Sequence, residues 1–271
     1  MEFDKKKLSD KFSEFFEENL SNYSPYLNIE IKTEKYTLST ANSQKDLIDI
    51  FKLRYMVFYK ENGIISNINF DIDEFDSVCD HLIIRSNSTN DICGTYRIIT
   101  NDKSPKFYSS TEFELSDFHK INGKKLELGR ACINPIHRNS TLKDLLWKGI
   151  ILYSHKIKAD IIFGCSSVYT NSFAVAHGLL DLFKEKNVYS ADLIVAPLEH
   201  YRLQKIVDEE KFDRTHYQNY LPPLLRGYIL AGAKVYGEPA MDKSFKCIDF
   251  FTMLYLKDLT PLFKNRYMRN L

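Results

Sequence analysis

Glu127 and Arg130 stand three residues apart in the segment LELGRACINPIHRN, an acid and a base in a largely apolar run. Such a pair can hold a reacting group and balance its charge, or simply tie an edge strand. In a regular strand, residues three apart point to opposite faces. Gly129 between them predicts a bulge, which adds one residue and lets both side chains share a face. On these residues alone, paired site groups and a solvated ion pair stand level. The chain then turns at Asn134-Pro135 and passes through Arg138, Asn139, Ser140 and Thr141 into a helical pattern. A strand, a loop and a helix N-terminus with an arginine beside its free amides suit an anionic group such as a phosphate. Thr141 to Asp144 fits a capping box, so the helix is predicted to start near Ser140. The loop by itself favours an ordinary capped helix with a solvated arginine.

Other elements bring further charges. Ser43 is placed to cap a helix running to about Lys60, with Leu47, Ile50, Phe51, Arg54 and Phe58 three or four apart. Arg54 falls on the apolar stripe and needs a carboxylate, from the protein or from a substrate. Asp71, Asp73, Glu74, Asp76 and Asp80 crowd the next stretch. They lack the glycine and terminal glutamate of a calcium loop, so no metal site is expected. The general reading is a solvated acidic loop. The sharper one is a carboxylate cluster beside an ammonium substrate. Residues 79–86 and 92–100 predict a hairpin, with Arg97 in its second strand. The polar connection 101–123 has one helical candidate near 112–119 and is long enough to be functional.

Further along, residues 142–157 predict a helix with Leu142, Leu145, Leu146, Gly149, Ile150 and Tyr153 facing inward. A strand at 161–168, a helix at 172–184, a short strand at 193–196, a helix at 221–231 ended by Gly232, and an apolar strand at 248–256 follow. Residues 29–38 alternate as one half-buried strand. Near the start, Leu8, Phe12, Phe15, Phe16 and Leu20 make an amphipathic helix at about 5–22. It suits docking on the body better than a membrane surface, because Glu14, Glu17 and Glu18 lie on its polar face.

These blocks resemble a family. LELGRACINPIHRN followed by LLWKGI is similar to the ELGR segment of the ornithine-lipid-type N-acyltransferases, relatives of the acyl-homoserine-lactone synthases within the GNAT-like acyltransferase fold. FKLRYMVFYKENG resembles their LRYxVFxxExG helix, DIDEFDSVCDHLII their acidic segment and CGTYRIIT their G-x-x-R-L strand. The block from Leu221 to Leu254 resembles their C-terminal segment. The resemblance implies an α/β (α+β) fold with a mixed, mostly antiparallel sheet flanked by helices. The chain reads as one domain over 1–271, with a C-terminal elaboration at about 220–271.

The resemblance also implies a reaction: transfer of a long acyl chain, 3-hydroxylated in some members, to the α-amine of an amino acid such as ornithine. The signal-synthase reaction, or acylation of another amino acid, is the alternative. Acyl transfer from a thioester to an amine needs no protein nucleophile, but it needs a base because the amine arrives as ammonium. Glu127 is the expected base, through a water. Arg130 and Arg97 are expected to act with it, and Arg54, Phe58, Asp73 and Asp76 to form the acceptor region. With Glu127 in an open cleft, Glu127→Gln is expected to leave folding nearly unaffected. The loop Arg138, Asn139, Ser140, Thr141 lacks the glycines of a CoA-binding GNAT loop. That departure suits the acyl-phosphopantetheine of an acyl carrier protein as donor, with no permanently bound cofactor.

Composition sets outer bounds. A chain of 271 residues with 44% hydrophobic and 27% charged residues describes a globular protein, and the net charge of +1 gives no pull toward nucleic acid. Five cysteines without C-x-x-C spacing point to a reducing, cytoplasmic setting rather than a disulfide framework. Cys132 is a candidate thiol nucleophile, but a small core residue fits better. No apolar run reaches the eighteen residues of a membrane span, which leaves peripheral contact with the inner membrane face as the expected form of any membrane association. Seventeen tyrosines and nineteen phenylalanines suit either core packing or the wall of an apolar pocket.

Overall fold

Segments with a period of two become strands and segments with a period of 3.6 become helices in the computed structural model, which describes residues 16, 18, 20–66, 68–204 and 211–269. The helix expected at about 5–22 falls almost wholly outside them. In chain order the strands are β1 (Glu30–Lys32), β2 (Tyr36–Thr40), β3 (Asp80–Ser86), β4 (Ile92–Thr100), β5 (Phe113–Glu114) and β6 (Lys125–Ile133). Then come β7 (Ile161–Val168), β8 (Tyr189–Ser190), β9 (Ala196–Pro197), β10 (Lys234–Asp242) and β11 (Cys247–Tyr255). The helices are α1 (Gln44–Tyr55), α2 (Ser116–Lys120), α3 (Ser140–Ile157), α4 (Phe173–Glu185), α5 (Pro223–Ala231) and α6 (Pro261–Tyr267). Two compact units form: Met1–Ser104 with Gly129–Ile157, and Pro105–Leu128 with Lys158–Leu271.

In the first unit the strand order is β1-β2-β3-β4-β6. The first four pair antiparallel. Residues 29–38 do not make one strand. The Thr33 N–H and hydroxyl both donate to the Tyr36 carbonyl, at 2.9 and 2.7 Å, and fold the segment into the β1–β2 hairpin. Ser43 and Asp46 form the capping box that opens α1, and the helix continues as a π turn over Met56–Lys60. Helix α3 starts at Ser140 as expected, but its cap is Asn139, whose side chain accepts the Leu142 N–H at 3.0 Å. Thr141 lies inside the helix, so the capping-box reading of that residue does not hold. The apolar stripe of α3 is buried as predicted. It packs closely: a Cβ on Gly149 would come within 2.6 Å of the Leu38 side chain.

In the second unit the order is β6-β7-β11-β10-β8. β6 pairs parallel to β7, while β7, β11 and β10 pair antiparallel. The strand at 161–168 and the Ser172-capped helix α4 match their sequence patterns. Gly232 ends α5 at φ 107°, where a side chain would be strained. Strand β10 was not legible, because Gly237 at φ 70° and Pro239 break its alternation and shift its register between Tyr236 and Ala240. The strand expected at 193–196 shrinks to the two residues of β9, paired with β5. The helix expected near 112–119 is only α2, preceded by a 3-10 turn at Tyr108–Thr111. Phe107, Phe118, Phe163 and Phe251 pack ring against ring, with centroids 4.5 to 5.4 Å apart for Phe118–Phe163, Phe107–Phe163 and Phe118–Phe251. Pairing is mostly antiparallel with helices alongside, the fold class the resemblance implied. Among the described residues no helix is long and apolar enough to cross a membrane.

Candidate functional site

An ionised carboxylate removed from water is costly unless donors replace its hydration. Glu127, on β6 and only 2% exposed, has them. Its Oε2 accepts the Tyr108 N–H at 2.6 Å. Its Oε1 accepts the Ser109 N–H at 2.6 Å and the Ser109 hydroxyl at 2.5 Å. Both amides belong to the start of the 3-10 turn that precedes β5, where the first N–H groups of a turn have no partner within it. The side chain is therefore fixed in rotation by backbone, and it anchors the 105–112 segment in return. The expectation of an open cleft is corrected: Glu127 is a buried, structurally engaged carboxylate.

Arg130, one residue after Gly129, adopts φ 51°, so the strand is irregular where the glycine predicted it. Its guanidinium lies 2.9 Å from Asp73 and 3.2 Å from Asp71. Arg97 on β4 contacts Asp73 at 2.5 Å and Asp76 at 3.2 Å. Arg54 on α1 pairs with Asp71 and Asp76, both at 2.6 Å. Three guanidiniums and three carboxylates thus form one network in the first unit, which gathers Arg54, Arg97, Arg130, Asp73 and Asp76, the residues expected at the site, together with Asp71. Arg54 and Asp76 are fully buried, so the partner that Arg54 requires comes from the protein. Burial alone would raise the Asp76 carboxyl, but the Arg54 and Arg97 charges hold it below the usual carboxylate range. Asp71 is lowered likewise by Arg54 and Arg130. His81, buried 3.6 Å from Asp76, is pushed down to about 3 by desolvation, against the pull of that carboxylate.

The remaining expected residues have separate settings in the first unit. Phe58 is half-buried against the α1 core. Arg138 reaches Glu61 at 2.7 Å and the Ile133 carbonyl at 3.1 Å, so its charge is already balanced by a carboxylate. Ser140 and Thr141 line an open groove with Thr33, Asp144, Leu145 and Lys148.

Residues 53–148 match the family model described as acetyltransferase (GNAT) domain. The L-ornithine N(alpha)-acyltransferase of Brucella abortus (strain 2308) is 30% identical over 244 residues, 84% of this chain and 86% of that protein. The enzyme of that name from Rhizobium meliloti (strain 1021) is 32% identical over 209 residues, 73% of this chain and 70% of that one. The chain belongs to the L-ornithine N(alpha)-acyltransferase family. It is an N-acyltransferase. A solved structure, FeeM, an N-acyl amino acid synthase from uncultured soil microbes, superposes with a TM-score of 0.47 and 10% identity, covering 88% of this chain and 99% of that one.

An N-acyltransferase takes an acyl donor and an amine acceptor, and the attacking amine is its own nucleophile. Cys132 plays no such part: it is buried in the first unit's core, and burial pushes its thiol far above the ordinary range. Sequence reasoning missed four groups in the second unit. Tyr108 and Ser109 act through backbone amides, which leave no composition signal. Glu112 sits in the polar connection, at the start of its helical candidate, yet it is fully buried. Asp249 did carry a signal, as the lone acid inside the apolar strand CIDFFTMLY. Such a residue needs a partner or a purpose.

Proposed function

We propose that this N-acyltransferase moves a long fatty acyl chain, plain or 3-hydroxylated, from acyl carrier protein to the α-amine of ornithine, giving a lyso-ornithine-lipid-type product. The relatives' names support the acceptor, and the glycine-free loop at Arg138, Asn139, Ser140 and Thr141 supports the carrier-protein donor. The observation that carries the mechanism is the fixed, buried carboxylate of Glu127 on β6, held by two backbone amides and one hydroxyl.

In this reading the α-ammonium gives a proton to Glu127 through a water. The freed amine attacks the thioester carbonyl, the C–N bond forms, and an oxyanion develops. The C–S bond then breaks, the phosphopantetheine thiolate leaves, and it takes the second proton that the nitrogen gives up as the amide forms. General-base help of this kind contributes about 10²–10⁴ in rate. Arg97 and Arg130 as catalytic partners, Arg54, Phe58, Asp73 and Asp76 as the acceptor region, and a peripheral membrane location for a lipid-making enzyme rest on the resemblance and are part of the proposal.

Lipid mass spectrometry of a host expressing the chain tests the reading, because it reports acceptor and chain length together. An N-acyl-ornithine mass is expected; a lactone product would assign the signal-synthase reaction instead. With purified components, acyl carrier protein is expected to serve and free acyl-CoA to be poor. The carrier reaction should slow with added salt, since carrier proteins are acidic and salt screens their approach. Equal turnover with both donors would remove the carrier assignment.

A further inference from the structure

Glu127 shares its sheet face with a row of polar groups that packing does not explain. Glu127 is in register with Phe163. Alternation along β7 puts Cys165 and Ser167 on the face of Phe163. Across β11, Asp249 is opposite Ser167 and Phe251 opposite Cys165. Asp249 and Cys247 are opposite Ala240 and Asp242 of β10. This face therefore carries Glu127, Cys165, Ser167, Asp249 and Asp242 in sequence, and the aromatic layer of Phe107, Phe118, Phe163 and Phe251 borders it.

Into the row comes a third carboxyl from another segment. Glu112 has no measurable exposure, and neither of its oxygens has a hydrogen bond of ordinary length and angle, although the Tyr108 hydroxyl and Cys165 thiol lie against it. Desolvation, with the charges of Asp249 and Asp242, pushes its carboxyl well above the usual range. Burial, then Asp249, Asp242 and Glu112, pushes the Cys247 thiol up, and burial with Glu112 and Asp242 raises Tyr201 to about 12. Two buried carboxyls beside one buried acid whose oxygens hold no ordinary hydrogen bond make a setting that a cation can complete.

We infer that Glu112, Asp249 and Asp242 form a subsite for the side-chain ammonium of a diamino acid acceptor, whose α-amine is the group presented to Glu127. The inference rests on the proposed N-acylation of ornithine and adds what selects a diamino acid. A chain of contacts joins the two ends: Glu127 reaches Ser109 at 2.5 Å, Ser109 Oγ lies 3.4 Å from Cys165 Sγ, and Cys165 lies against Glu112. Cys165, Ser167 and Tyr201 are half-buried, which gives the row an edge open to solvent.

An ammonium fits these donors better than a metal ion. Asp242, Cys247 and Asp249 present ligand atoms within 4.8 Å of one another. However, Asp242 Oδ1 already accepts the Ser244 and Phe245 amides at 2.7 and 3.0 Å, and Asp249 accepts the Ser167 hydroxyl at 2.6 Å. The Cys247 thiol donates to Asp249 at 3.5 Å, a contact that binding a metal ion there would displace. An ammonium, with three donors, can complete Glu112 once that acid gives up its proton, and can stand beside Asp249 without displacing the Ser167 hydroxyl.

The test compares ornithine with 2-aminopentanoate, which has the same skeleton without the terminal amine. Wild-type enzyme is expected to favour ornithine by about 100-fold in kcat/KM. Glu112→Gln and Asp249→Asn should each raise the ornithine KM about 10- to 100-fold, the worth of one charge-assisted hydrogen bond, while 2-aminopentanoate is unaffected. Glu112→Lys, which brings its own ammonium, should reverse the preference. Preference unchanged in all three variants overturns the subsite alone. Should these variants fail to fold, wild-type calorimetry in two buffers of different ionisation enthalpy decides. Ornithine binding with proton release from Glu112 supports the subsite, and equal binding of both acceptors overturns it. No product from either acceptor overturns the functional reading itself, and the subsite with it. A thermal midpoint raised by zinc or manganese but not by ornithine assigns the cluster to a metal and overturns the inference.

Discussion

Ser109 gives both its amide hydrogen and its hydroxyl hydrogen to one oxygen of Glu127, while the Tyr108 amide holds the other, so two neighbouring residues set the orientation of the proposed base. The consequence is that catalysis and stability are joined at Glu127. A glutamine there keeps one accepting oxygen but turns an NH2 toward a backbone N–H. Glu127→Gln is therefore expected to lose about 10²–10⁴ in rate and also about 1–3 kcal/mol of stability through an unsatisfied buried donor. Initial rate per folded molecule, measured with the thermal midpoint on one preparation, separates the two. A normal rate per folded molecule would move the proton transfer to another group.

Ser109→Ala is the gentler probe. It removes the hydroxyl and leaves both amides in place. A loss of about 0.5–1.5 kcal/mol is expected from one hydrogen bond. The rate should fall by a small factor with KM unchanged, because the variant loosens the base without touching an acceptor contact. A KM change as large as that of the Glu112 variants would mean that Ser109 itself binds the acceptor.

Arg54 shows what sequence could and could not reveal. Its place on an apolar helix stripe told that a carboxylate must meet it, and the crowded aspartates named the candidates. The pattern could not say whether the partner was protein or substrate, because that depends on how residues seventeen and twenty-two positions away fold back. Asp71 and Asp76 turn out to close the charge from within. In the second unit the limit was different. Amides of a 3-10 turn leave no trace in residue type, and β10 was hidden by Gly237 and Pro239. Asp249 was legible but was absorbed into its apolar run.

Arg54→Met is accordingly expected to act on folding. It leaves Asp71 and Asp76 short of a buried partner, at a cost of about 3–5 kcal/mol. Thermal melts should show the loss, and the acceptor KM per folded molecule reads the proposed part of Arg54 in the acceptor region. A KM unchanged in the folded fraction would remove Arg54 from that region and leave it a folding residue.

Acid should weaken the first unit in two stages. His81 titrates near 6.5 when unfolded and at about 3 when folded, so the unfolded chain binds the extra proton between those values. Stability is then lost as pH falls from about 6.5 toward 3. Asp71 and Asp76 are lowered in the fold, so their contribution is lost below the unfolded aspartate value of 3.8. Thermal midpoints of wild type and His81→Asn between pH 7 and 4 check the first stage, where the variant should show a shallower fall. Parallel curves would remove His81 as the cause.

Glu112 gives the opposite sign. Its folded carboxyl is raised well above 4.5, so the folded state keeps a proton that the unfolded chain releases. Stability should therefore fall as pH rises from 4.5 through the folded value. Glu112→Gln, neutral at every pH, removes that dependence. Its thermal midpoint should match wild type near pH 4.5 and exceed it increasingly toward pH 8. Ornithine should close the same gap in wild type, because a ligand that binds only the folded state stabilises it by mass action. It should not do so in the variant, which has lost the charge that holds the ammonium. A wild-type midpoint that is flat over this range, or a variant stabilised by ornithine as much as wild type, would show that Glu112 is neither held neutral by its buried neighbours nor discharged onto the acceptor.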